Sequence, residues 1–273
     1  MKKIFTLLAL TIGFSMSAQT GNTSTGTDAL ASGSLTGSHN SAFGFQSLYS
    51  NTTGYNNTAS GYESLYSNTT GIRNTASGYE SLYSNTTGSY NNASGYQSLY
   101  SNTTGSNNTT FGGESLKANT SGVQNTGSGW KALFSNTTGN NNTASGYQSL
   151  RESITGYRNT ASGVQSLYSN TTGSNNSAFG YNAQASAVDA TNQTIIGYEA
   201  TGQADNSVVL GNDDVTAVYM GEDSGATIYA AGLRTASNAV LTLSADDATF
   251  ADDLTIGGDV VVSSDARLKS NIV

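Results

Sequence analysis

The sequence has 273 residues and a formal net charge of −8, and 10% of its residues are charged, against about 25% in typical soluble domains. It has 32 glycines but no proline and no cysteine, which excludes a disulfide framework and a thiolate metal site. Residues 186–273 hold thirteen acids and three bases, and this acidity argues against a nucleic acid partner.

The N-terminus predicts export. A short basic start is followed by an apolar run over residues 4–14 and then by small residues suited to cleavage. We therefore assign residues 1–18 to a signal peptide and residues 19–36 to a linker, and expect a secreted or surface-exposed bacterial protein. The apolar run is shorter than the roughly 20 residues of a membrane-spanning helix, and no later segment comes close, so no transmembrane anchor is expected in this chain.

Residues 37–185 repeat with a period of 17 residues. One copy, residues 57–71, reads Asn-Thr-Ala-Ser-Gly-Tyr-Glu-Ser-Leu-Tyr-Ser-Asn-Thr-Thr-Gly. The most regular column is leucine: Leu48, Leu65, Leu82, Leu99, Leu116, Leu133, Leu150 and Leu167. Two columns of glycine and one of asparagine keep the same spacing.

The residue types within one repeat predict short strands joined by turns. The Asn-Thr-Thr-Gly segment is typical of a turn, and the stretches 57–62 and 64–67 are then two short strands. Ordering each residue costs roughly 1 to 2 kcal/mol of backbone entropy, whereas burial of the single leucine returns about 1.5 to 3 kcal/mol. One coil cannot fold alone, so the sequence predicts an all-β fold, a parallel β-solenoid of stacked 17-residue coils.

Variation among the copies indicates which columns face inward. The leucine column never changes, whereas the next position holds tyrosine in most copies but Lys117 and Arg151 in others, so it cannot be buried. The column of Gln46 and Glu63 is expected to face solvent. The aromatic column that includes Phe45 carries no charge, so we expect it to be shielded, between subunits.

The tyrosines that follow the leucines are the best candidates for ligand contact, because amphipathic aromatic side chains bind proteins and sugars at low entropic cost. The alternative is that they only cover the narrow core or a subunit seam. The candidates are Tyr49, Tyr66, Tyr83, Tyr100 and Tyr168.

No constellation in the repeats indicates catalysis, a metal or a cofactor. His39 is the only histidine, so no Ser-His-Asp triad or histidine metal cluster is indicated. The carboxylates of Glu63, Glu80 and Glu114 recur at coil spacing and are interpreted as solvated ladder positions rather than as a glycosidase pair. The acidic pairs near the C-terminus match no calcium roll or EF-hand, and whether they bind calcium stays open. We expect no enzyme here.

After residue 185 the repeat shortens to 14 residues, with strand endings at residues 195–197 and 209–211. This segment, 186–222, resembles the head repeat of YadA-like trimeric autotransporter adhesins in its sequence Asn206-Ser207-Val208-Val209-Leu210-Gly211, preceded by residues 192–197 at a 14-residue step. The 17-residue units resemble longer variants of the same coil, so the resemblance covers roughly residues 37–222. The resemblance implies a left-handed parallel β-roll, three chains packed as a homotrimer, and a role in adhesion. Residues 223–262 alternate apolar and acidic stretches, which favours a β-rich neck.

Residues 263–273 resemble the first residues of the endosialidase-type intramolecular chaperone domain of phage tail spikes and fibres. The resemblance implies self-cleavage between Ser264 and Asp265, with Ser264 as nucleophile and Lys269 as the activating base. Because only the start of that domain is present, we expect no self-cleavage by this chain.

These observations favour a structural or adhesive fibre segment that binds an extracellular protein or glycan. One alternative is a tail-fibre-like protein matured by a self-cleaving C-terminal chaperone. Another is ice binding through the threonine row Thr52, Thr69, Thr86 and Thr103.

Overall fold

A computed structural model describes residues 21–32, 35–216 and 218. These residues form one parallel sheet of 12 strands, each three residues long, in which every strand pairs with its neighbours in chain order. The all-β, parallel β-solenoid predicted from the repeat is therefore confirmed. The strands are β1 (Thr23–Thr25), β2 (Ser41–Phe43), β3 (Thr58–Ser60), β4 (Thr75–Ser77), β5 (Asn92–Ser94), β6 (Thr109–Phe111), β7 (Thr126–Ser128), β8 (Thr143–Ser145), β9 (Thr160–Ser162), β10 (Ser177–Phe179), β11 (Thr194–Ile196) and β12 (Val208–Leu210).

The register places equivalent residues of successive repeats side by side. Between β3 and β4, Thr58 pairs with Thr75, which lies 17 positions later, and the same offset holds from β2 to β11. The offset is 14 between β11 and β12, where the repeat shortens. The sheet begins at Thr23, inside the segment for which the sequence indicated a linker. Every column of the repeat thus becomes a ladder along the stack.

The core is narrow and consists of two kinds of buried side chain. The middle residue of most strands is alanine, as at Ala59 and Ala76, and the leucine column packs against it. The middle residue of β11 is instead the larger, fully buried Ile195. Where Thr110 takes the place of alanine, it pairs with Gly127 in the next coil, which has no side chain.

The prediction of a second strand at residues 64–67 is wrong. Residues 62–67 form a turn, in which Glu63 and Leu65 have positive φ angles of 50° and 51°. Such angles are incompatible with an extended strand. The turn still bonds to the next coil, since the Leu65 amide donates to the Ser81 carbonyl at 3.0 Å. The leucine side chains point inward from turns rather than from strands.

Buried asparagines satisfy the polar backbone of the turns. Asn57 donates through Nδ2 to the Gly71 carbonyl at 2.8 Å, and its backbone amide donates to Asn40 Oδ1 at 3.0 Å. A second asparagine ladder runs through the Asn-Thr-Thr-Gly segments, where Asn85 Nδ2 donates to Asn68 Oδ1 at 2.8 Å. Since buried polar groups without partners are costly, these ladders explain why asparagine recurs in every coil.

Within the described residues no helix is present, and therefore none there is long and apolar enough to cross a membrane.

Candidate ligand-binding face

Four of the five candidate tyrosines form one stacked ladder. The rings of Tyr49, Tyr66, Tyr83 and Tyr100 lie with neighbouring centroids 5.1 to 5.2 Å apart and interplanar angles of 3° to 6°. The in-register coils produce this stack, because they repeat each side chain at the strand spacing of about 4.8 Å. The tyrosines are half-buried. We call these four residues the inner ladder.

A second ladder of aromatic rings runs beside the first. Phe45, Tyr62, Tyr79 and Tyr96, here called the outer ladder, stack with centroids 5.0 to 5.6 Å apart. The shielding expected for this column is not provided by the chain itself, since all four rings are exposed. The two ladders together make the aromatic face.

Carboxylates close to the two ladders contribute to a raised pKa at two of the phenols. A hydrogen bond to the Glu63 carboxylate raises the pKa of Tyr62 above 10.0. Burial raises the pKa of Tyr83, and the charge of Glu63 adds to the shift. Glu80 accepts a hydrogen bond from Gln97 Nε2 at 2.6 Å. At neutral pH the aromatic face therefore offers hydroxyl donors beside carboxylate acceptors, in addition to apolar rings.

The inner ladder changes character beyond Tyr100. Its next positions are Lys117, Phe134 and Arg151, and three cations surround the Phe134 ring. Lys131 Nζ lies 5.3 Å, Lys117 Nζ 5.9 Å and Arg151 Cζ 5.5 Å from the ring centroid. These distances are within reach of cation–π attraction. We call Lys117, Lys131, Phe134 and Arg151 the basic patch.

Glu114 holds the two lysines of the basic patch in place. Lys117 Nζ lies 2.7 Å from Glu114 Oε1, and Lys131 Nζ lies 3.3 Å from Oε2. Burial acts to raise the pKa of Glu114, but the hydrogen bonds and charges of the two lysines outweigh it, so this pKa is lowered. The expectation that this column faces solvent is wrong for Glu114, whose side chain is 14% exposed because the lysines cover it.

Tyr168 contacts Arg151 of the basic patch and is not part of the inner ladder. Its hydroxyl accepts a hydrogen bond from Arg151 Nη1 at 2.7 Å, and the guanidinium also lies over its ring, with Cζ 5.5 Å from the centroid. Arg151 is also paired with Glu152. Three positions without tyrosine separate Tyr168 from Tyr100, which the sequence already shows.

Trp130 was missed as a candidate by the sequence reasoning. It occupies the outer-ladder column, is 43% exposed, and lies beside Lys131, whose Nζ is 5.7 Å from the ring. Its ring covers the neighbouring coil at Gly113, where an added Cβ would clash with the indole. The available signal was a glycine in an aromatic column directly before the only tryptophan of the chain.

The other candidate groups form no site among the described residues. His39 is exposed, and its Nδ1 lies 3.1 Å from Ser38 Oγ. The threonine row proposed for ice binding is half-buried, and Thr52 Oγ1 donates to the Thr69 carbonyl at 3.0 Å. Over the same described residues, no group of three or more His, Asp or Glu side chains could hold a metal ion.

Several sequence assignments lie outside the described residues. These are the signal peptide (1–18), the β-rich neck (223–262), and the chaperone-like segment (263–273) with Ser264, Asp265 and Lys269.

Comparisons with known protein families, curated proteins and solved structures found no match for this chain.

Proposed function

We propose that this chain is a non-catalytic, secreted or surface-exposed fibre segment that binds an extracellular protein or glycan through its aromatic face. The observation that carries this proposal is the pair of parallel ladders, eight stacked rings on one side of the solenoid. The remaining part of each coil supplies length and rigidity.

The chemistry of the aromatic face supports binding rather than mere coverage of the core. The four rings of the outer ladder are 39% to 48% exposed within the described part of the chain. Stacked neighbours hold each ring in one orientation, so little conformational entropy is lost when a ligand docks. Repetition at about 4.8 Å also allows one extended ligand to contact several coils at once.

We further propose that the solenoid is a left-handed β-roll that assembles as a homotrimer. Support comes from the outward side of the sheet, where large apolar side chains stand exposed at the strand ends: Phe43, Phe111, Phe179, Ile196 and Leu210. Contact between copies would remove these side chains from water. Analytical ultracentrifugation of the mature chain, residues 19–273, should give a trimer; a compact monomer contradicts this part of the proposal.

A binding screen with matched variants tests the role of the aromatic face. The mature chain is applied to a panel of glycans and matrix proteins, beside Tyr66→Ala/Tyr83→Ala and the control Tyr55→Ala/Tyr90→Ala. The control removes two exposed tyrosines at another corner of the coil. If each of the two tyrosines contributes about 1 to 2 kcal/mol to binding, the double variant should bind its ligand roughly 30-fold to 1,000-fold more weakly than the wild type. The control variant should bind as tightly as the wild type.

If Tyr66→Ala/Tyr83→Ala binds the ligand as tightly as the control variant does, the proposal is contradicted. Thermal unfolding of both variants checks that they are equally folded.

A further inference from the structure

We propose that the basic patch, together with Trp130, is a subsite for an acidic glycan, one that carries carboxylate or sulfate groups. This inference rests on the proposed function and names the ligand class for one part of the same side of the solenoid.

The distribution of charge singles out this place for an anion. Residues 37–185 contain five bases, and three of them converge on Phe134. The first coils of the aromatic face carry Glu63 and Glu80 and no base between their ladders. Residues 37–185 carry four acids and five bases, so an anionic ligand is attracted most strongly where three of those bases cluster.

The cations of the basic patch have bonding capacity left over. One carboxylate, Glu114, serves two lysines, so their charge is not neutralised by it. Both hydrogen bonds of Arg151 use Nη1, so that within the described residues its Nη2 has no hydrogen-bond partner. The Nε atom of Arg151 is buried, so Nη2 is the donor left for an oxygen of a carboxylate or a sulfate.

Trp130 and Phe134 make the preferred ligand a sugar rather than a simple anion. The indole is exposed and is held flat across Gly113, where no side chain competes for the space. A flat aromatic ring offers a stacking surface for the apolar side of a sugar ring, and Lys131 stands between the two aromatic rings with its Nζ 5.7 Å and 5.3 Å from them. Aromatic surface and cation are thus presented together, as a charged sugar requires.

The same charge balance disfavours duplex nucleic acid. A phosphate backbone would need a continuous row of bases along the coils, and outside the basic patch the described solenoid offers only Arg73 and Arg158. Those two residues lie at the same corner position of their coils, each with positive φ, away from the leucine-bearing turn.

The test uses the mature chain, residues 19–273, and two double variants with the same change in charge. Lys131→Gln/Arg151→Gln removes two bases from the basic patch, and Arg73→Gln/Arg158→Gln removes two bases elsewhere. Polygalacturonate and chondroitin sulfate are the acidic probes, dextran is the neutral probe, and a DNA duplex is included. Affinities are measured by isothermal titration calorimetry at two salt concentrations.

We expect the wild type to bind an acidic probe in preference to dextran, more weakly at higher salt. Lys131→Gln/Arg151→Gln should weaken this binding on the order of tenfold or more, and Arg73→Gln/Arg158→Gln by less than about twofold. Trp130→Ala should weaken it as well.

Three results would overturn the inference: no preference for the acidic probes, equal losses in the two charge variants, or tighter binding of the DNA duplex. The outcome is separable from that of the proposed function. A ligand lost only in Tyr66→Ala/Tyr83→Ala supports the aromatic face alone, whereas an acidic glycan lost only in Lys131→Gln/Arg151→Gln supports the basic patch alone.

Discussion

Replacement of a core leucine by its isomer isoleucine separates two requirements of the fold: the volume of the buried side chain and the left-handed backbone conformation at its position. Leu99 is fully buried, and its backbone lies at φ 51°. Leu99→Ile keeps the number of buried carbons but places a branch at Cβ, where a positive φ brings it against the backbone. A volume-conserving core exchange costs less than about 1.5 kcal/mol, and a strained backbone position adds about 1 to 3 kcal/mol. The expected loss in the free energy of unfolding is therefore about 1 to 4.5 kcal/mol.

Leu99→Met is the matched control, because methionine is unbranched at Cβ and has nearly the same volume. Its loss should stay below about 1.5 kcal/mol. Urea-induced unfolding of residues 19–273, followed by circular dichroism, measures both values. The chain uses a buried isoleucine in a strand, Ile195, but never in the leucine column. If Leu99→Ile were as mild as Leu99→Met, backbone conformation would not be the reason for that restriction.

Three further predictions concern the turns and the basic patch. Asn85→Ala should cost about 1 to 3 kcal/mol or more, because it leaves the polar groups of neighbouring buried asparagines without partners; retention of wild-type urea stability would contradict this. Gly78→Ala should prevent close stacking, since its φ is 137° and a Cβ would lie 2.6 Å from the Gly95 carbonyl oxygen; an unchanged melting temperature would contradict this. Because the pKa of Glu114 is lowered in the folded protein, this carboxylate stabilises the fold at pH values above its pKa in the unfolded chain. The stabilisation is lost as the pH falls through its pKa in the folded protein. The difference in unfolding free energy between wild type and Glu114→Gln should therefore shrink from pH 7 to pH 3, and an equal difference at both pH values would refute it.

The period of the repeat was sufficient to predict the stacked coils. A short coil that repeats every 17 residues can pair its backbone and bury its leucine only if each copy lies beside the next. The pairing of Ala59 with Ala76 follows directly. The burial of the leucines also followed, because their column tolerates no polar residue. Local backbone conformation could not be predicted in the same way. Leucine normally lies in a strand or a helix, so the residue types of the repeat did not predict the left-handed backbone conformation at Leu65.

The candidate site was predicted in part. Stacking of Tyr49, Tyr66, Tyr83 and Tyr100 follows from their common column once the register is known. The grouping of Lys131 with Phe134 did not follow, because the two residues occupy different columns and meet only through the curvature of the turn between them. The sequence predicted that the outer ladder is shielded between subunits, because its column carries no charge; in the single chain the four rings are exposed, and shielding by another subunit stays a prediction.

The most direct test of the stacked coils is a distance between two labelled turns. The chain has no cysteine, so Thr53→Cys/Thr138→Cys places two nitroxide labels at exposed, equivalent positions without removing a native thiol. Dilution with unlabelled protein suppresses distances between chains, and electron–electron double resonance reads the remaining one. Five coil steps of about 4.8 Å predict a narrow distribution near 24 Å between the two backbone positions. A broad distribution, or one centred beyond about 35 Å, would show that successive repeats do not lie one strand apart.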